Sequence, residues 1–68
     1  MDDFSTFYEA DLHRALMNLI GKNVTLQTTQ GSLRGHLHEV MSDYLVIIVE
    51  GSPFHVRIAQ IIWIFPGL

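Results

Sequence analysis

Sixty-eight residues make one small core, and a chain of that size buries only about 60% of the surface its unfolded form exposes, so it needs disulfides, a metal or partner copies to be secure. There is no cysteine, which excludes disulfides and thiolate zinc sites and agrees with a reducing compartment. Four Lys and Arg stand against seven Asp and Glu, a formal net charge of −3, so the basic stripe of an ordinary nucleic-acid module is missing.

The first segment, MDDFSTFYE, is acidic and has no apolar run, so it does not read as a secretory signal. No apolar stretch approaches the ~18 residues that cross a bilayer. The expectation is a soluble, cytoplasmic protein with no membrane partner.

From Phe4 the apolar residues recur at spacings of three and four: Phe4, Tyr8, Leu12, Ala15, Leu16 and Leu19. That stripe predicts an amphipathic helix over Asp3 to Ile20. Asp2, Asp3 and Ser5 suit its start, and Gly21 with Lys22 suits its end. Phe7 and Met17 fall off the stripe.

After Gly21 the period becomes two. Val24 and Leu26 alternate with Thr25 and Gln27, and TTQG reads as a hairpin turn. Leu33 and Leu37 share a face of the second strand with Gly35 between them, the mark of a sharp bend or a close backbone approach. Val40 is out of phase with Leu37, which predicts a bulge after His38. MSD turns the chain, YLVIIVE follows with apolar residues on both faces, and EGSP turns it again. In FHVRI, Phe54, Val56 and Ile58 point inward, and His55 and Arg57 outward. Ala59 and Gln60 make a corner before IIWIF, again apolar on both faces and ended by Pro66-Gly67.

The fold class expected is mainly β: an N-terminal helix, residues 1–21, then a five-stranded, strongly bent antiparallel small barrel, residues 22–66, in a single domain, residues 1–68. Strands apolar on both faces carry more hydrophobicity than one small sheet buries. Left open they invite aggregation, so the helix and a second copy of the chain are expected to cover them.

The stretch VTLQTTQGSLRGHLHEVMSDYLVII, with VRIAQIIWI after it, resembles the two signatures of the Sm-like fold, which includes Hfq. The chain is more closely similar still to a small Bacillus family known as a domain of unknown function. The resemblance runs from about Val24 to Pro66. It implies a ring in which the fourth strand of one copy pairs with the fifth of the next, giving an oligomer interface of Phe54, Val56, Ile58, Ile62, Trp63 and Ile64. Asp43 matches the family's turn aspartate. The asparagine of eukaryotic Sm proteins falls on Ile47, Hfq's uracil-stacking aromatic on Leu45, its Lys-His pair on Ile58 and Ala59, and its adenine-side tyrosine on Gln27.

Two functional readings come from these residues. The first is an oligomeric scaffold or protein-interaction module. The second is a weak Hfq-like RNA-binding ring using Arg34, Asp43, Tyr44 and Arg57, since an aromatic beside arginines is the chemistry of base stacking on single strands. His36 and His38 project from one face of a strand at a spacing that suits two metal imidazoles, with His55 as a third. The plainer account is solvated or interface histidines, and no metal or cofactor is expected. No serine or threonine sits in a nucleophile motif, and no glycine-rich phosphate loop precedes a helix, so no enzyme activity is expected.

Overall fold

A computed structural model describes residues 11–67. Helix α1 occupies residues 11–17 of that range and unwinds through a turn at 18–21. The expected helix therefore ends a turn early, and its start, with Phe4, Phe7 and Tyr8, lies outside the described residues. The last turn tightens into three-residue bonds, Leu19 N–H to Leu16 O at 2.9 Å and Lys22 N–H to Leu19 O at 3.0 Å. Such short bonds satisfy the end carbonyls that an α-helix leaves open.

Five strands follow: β1 (Asn23–Thr28), β2 (Gly31–Val40), β3 (Tyr44–Val49), β4 (Ser52–Arg57) and β5 (Ile61–Pro66), with a 3₁₀ turn, Ile58–Gln60, before the last. They form one antiparallel sheet in the order β4-β3-β2-β1-β5. Both expected irregularities of β2 are present. A Cβ at Gly35 would meet the Ile48 carbonyl oxygen at 2.2 Å, so the sheet bends there by bringing backbone against backbone. The β2–β3 register skips His38, passing from Leu37↔Ile47 to Glu39↔Val46. That bulge turns Glu39, which strict alternation would place with Leu37, onto the other face.

The inner face gathers Val24, Leu26, Leu37, Val40, Leu45, Ile47 and Val56 under Leu16 of α1. Leu12, Leu19, Leu33, Ile58, Ile61 and Ile64 pack round that cluster. The one hydrogen bond from a helix side chain to the sheet among the described residues is His13 Nε2 to the Met41 carbonyl, 2.9 Å. It ties α1 to the β2–β3 turn. No helix of the described residues is long and apolar enough to cross a membrane.

Candidate interaction edges and the tyrosine–histidine face

The strand order leaves β4 and β5 as the two edges of the sheet. An edge strand presents unpaired N–H and C=O groups, and proteins normally blunt it with charge, proline or a cover. Here β5 carries no charged side chain, and Ile62, Trp63 and Phe65 are 62%, 49% and 58% exposed. On β4, Phe54 is 43% exposed. Met17 and Ile20 at the helix end and Met41 in the β2–β3 turn complete the exposed large apolar residues of the described chain.

The six residues expected at an oligomer interface therefore divide. Phe54, Ile62 and Trp63 are exposed, Ile58 and Ile64 are half-buried against the chain's own core, and Val56 belongs to that core. Pairing explains the division. Val56 faces Leu45 across the ladder, on the side that α1 and the sheet enclose, whereas Phe54 lies nearer the open rim opposite Ile47. Phe65, which that interface omits, is as open as Ile62. It sits opposite Thr25 on the outer face of the sheet, and its place at the end of an uncharged edge strand was the signal for it.

A cleft of about 390 Å³ opens between the tip of the β1–β2 hairpin and β4. Leu33, Phe54 and Val56 form its apolar wall, with Thr28, Gln30 and Ser32 on the hairpin side. The hairpin tip is held rigidly. Thr28, buried although polar, donates its hydroxyl to the Gly31 carbonyl and accepts from the Gln30 N–H, both at 2.9 Å. Thr29 N–H donates to the Gln60 carbonyl at 3.1 Å, and the two side chains are hydrogen-bonded as well, which ties the hairpin to the 3₁₀ turn. A second cleft, about 440 Å³, lies among Leu12, His13, Ser42, Asp43, Ile58 and Ile61.

On the outer face, Tyr44 and His55 stack with ring centroids 5.7 Å apart and planes 34° apart. Tyr44 is in register with Arg57. Asp43 precedes Tyr44 at the turn, and its carbonyl accepts the Ile58 N–H at 2.9 Å. Asp43, Tyr44 and Arg57 thus share one corner of the sheet. Arg34 is on β2, opposite Thr25, with β3 between its strand and β4. His55, absent from the RNA residues expected from sequence, joins Tyr44 because Val46 brings the two strands into register. That cross-strand pairing is invisible in a one-dimensional string.

His36 and His38 are both exposed, His36 opposite Asn23 and Ile48, His38 in the bulge. Among the described residues, no group of three or more His, Asp and Glu side chains comes together to hold a metal ion.

The fold is Sm-like. The chain superposes on the pleiotropic translational regulator Hfq with a TM-score of 0.69 at 18% identity, over 76% of this chain and 92% of that one. It superposes on a heptameric archaeal Sm protein at 0.63 and 22% identity, over 81% and 98%. The SmAP1 heptamer of P. aerophilum also gives 0.63, at 23% identity over 84% and 93%. At such identities these likenesses speak of the fold. No curated protein matches the chain in sequence. A family model does match, along residues 4–66, and by that match the chain belongs to the family described as Domain of unknown function, DUF2642.

Proposed function

We propose that the chain is a non-enzymatic, homo-oligomeric scaffold whose copies join through the β4 and β5 edges, the whole of residues 1–68 serving as one Sm-like unit in the cytoplasm. One observation carries this reading. The most exposed large apolar residue among the described residues, Ile62, stands with Trp63 and Phe65 on an uncharged edge strand, where an unpartnered protein would be expected to place charge. A small chain without disulfides also gains from assembly the burial that its own core is too small to supply. The heptamers among its structural neighbours support a ring as the closed form. Light scattering across a concentration series tests it. A single defined multimer of roughly five to seven copies is expected from a head-to-tail interface that closes, and a stable monomer at all concentrations overturns the scaffold.

A second reading, weak binding of single-stranded RNA, is favoured by the Tyr44–His55 stack beside Arg57. Stacked rings next to a guanidinium can hold a base without reading its sequence. The net charge of −3 opposes it. Binding of this kind falls steeply with salt, because phosphate contacts release counterions. Titration of a fluorescent oligonucleotide at low salt separates the two readings. Affinity that is lost in the Arg34→Ala, Arg57→Ala double variant would establish the RNA site; affinity that survives it would place any RNA elsewhere.

A further inference from the structure

The two edges of the sheet are unlike each other, and the difference selects a partner for each. β4 carries His55 and Arg57, while β5 carries no charge. A β4–β4 contact between copies would leave the apolar β5 edge open. A β5–β5 contact would leave β4 and the cleft beside it open. A head-to-tail contact, β5 of one copy on β4 of the next, covers both edges with a single repeated interface.

The backbone fixes which side chains then meet. Glu50 and Gly51 both have positive φ, 51° and 84°, in a two-residue turn, so Val49 and Ser52 form a hydrogen-bonded pair. Bonded and non-bonded pairs alternate from there, and His55 and Arg57 turn their N–H and C=O groups toward the free edge. The Ile58 N–H bond to the Asp43 carbonyl has the phase that this alternation requires. Along β5, Gly67 N–H donates to the Asn23 carbonyl at 2.7 Å, which makes Val24 and Pro66 a non-bonded pair. Phe65 and Trp63 then bond to β1, and Ile64 offers its backbone to the free edge.

An antiparallel seam sets edge-facing residues opposite each other and on the same face. Ile64 therefore meets His55 or Arg57. The alternate residues share the other face, Trp63 and Phe65 of one copy with Phe54 and Val56 of the next. Phe54 and Val56 are among the residues that wall the cleft of about 390 Å³. A parallel seam would lay the aromatic rings on the His55 and Arg57 side of β4 and away from the Phe54 and Val56 side chains. Apolar complementarity thus favours the antiparallel sense.

We propose that the indole of Trp63 is seated in the Leu33–Phe54–Val56 cleft of the next copy. The inference rests on the oligomeric reading above and names the contact that makes it. Leu33, Phe54 and Val56 give the cleft an apolar wall for the ring, His55, Arg57 and Gln60 line it as well, and Gln30 and Ser32 on its hairpin rim supply oxygen acceptors for the indole N–H. A buried tryptophan usually finds such a partner. The site is incomplete in one chain and filled by a second.

Trp63 is the one tryptophan of the sequence, so tryptophan fluorescence reports on this side chain alone. The full-length protein is diluted through its assembly range, with mass by light scattering and acrylamide quenching of Trp63 measured on the same samples. In the multimer, quenching is expected to fall several-fold below that of free N-acetyltryptophanamide, and to rise toward it on dissociation. Phe54→Ala is expected to raise the concentration needed for assembly at least tenfold and to leave Trp63 more quenchable. Phe54 is already 43% exposed, so this truncation leaves the monomer core in place. A multimer with freely quenched Trp63, or one that Phe54→Ala leaves intact, overturns the seated indole while the scaffold stands. A monomer at every concentration overturns both. The wild-type quenching curve decides the matter even if the variant fails to fold.

Discussion

Two glycines of this chain do different physical work, and substitution separates them. At Gly35 the obstacle is space, since an added Cβ would lie 2.2 Å from the Ile48 carbonyl oxygen, a backbone atom that cannot swing aside. At Gly51 there is open space, and the obstacle is the backbone angle, φ of 84°. Gly35→Ala should cost the overpacking penalty of about 1–3 kcal/mol, because β2 and β3 must part to admit the methyl group. Gly51→Ala should cost about 1–2 kcal/mol for the left-handed conformation alone. Asparagine tolerates that conformation, so Gly51→Asn should recover most of the loss, whereas Gly35→Asn should be at least as harmful as Gly35→Ala. Urea unfolding of the four variants reads the contrast. Equal losses at Gly51 for Ala and Asn would remove the turn geometry from the account. His13→Ala belongs at the same scale. It deletes the 2.9 Å bond to the Met41 carbonyl and should lower stability by about 0.5–1.5 kcal/mol by the same measurement.

At the scale of the element, the edge phase of β4 makes a sharper test than side-chain truncation. His55 turns its N–H to the free edge, and Val56 turns its N–H to Leu45 across the β3–β4 ladder. Proline removes an N–H wherever it is placed, and strands accept it only where that group faces outward. His55→Pro should therefore keep the sheet, seen in the far-ultraviolet circular dichroism, while abolishing assembly in light scattering. Val56→Pro should unfold the monomer. Loss of the sheet in both variants would mean that the edge is out of phase with this account. The elements themselves were legible in the sequence because each has its own period: the bend at Gly35 and the bulge after His38 both showed as breaks in an alternation of two. The candidate site was less so. Tyr44 and His55 are eleven positions apart and meet only because Val46 pairs with His55. The cleft beside Phe54 needs the hairpin tip folded back onto the 3₁₀ turn through Thr29 and Gln60, a contact between segments with no periodic relation. Val56 shows where alternation stops, since in the single chain it already packs into the core. Alternation gave its face correctly, but whether an inward residue is closed by its own chain or by a neighbour depends on curvature, which the sequence does not carry.

The whole molecule joins folding to association. Among the described residues its core cluster is a single layer of seven sheet residues under Leu16, with the outer face of β5 left to solvent. If the edges are completed by other copies, unfolding and dissociation are one process, and stability depends on protein concentration. Mass action sets the size of that dependence. For n copies that unfold together, a tenfold rise in concentration stabilises each subunit by about 1.4 kcal/mol multiplied by (n − 1)/n, since n unfolded chains replace one assembly. That is roughly 0.7 kcal/mol for a dimer and roughly 1.2 kcal/mol for a ring of about seven. Urea midpoints measured over a hundredfold range of concentration should therefore climb, and the slope distinguishes a pair from a ring independently of scattering. The Phe54→Ala and His55→Pro variants should give flat, lower midpoints throughout the range in which they remain dissociated. A flat midpoint in the wild type would show that one chain reaches its stability alone, with Ile62, Trp63 and Phe65 left open to water on a free edge.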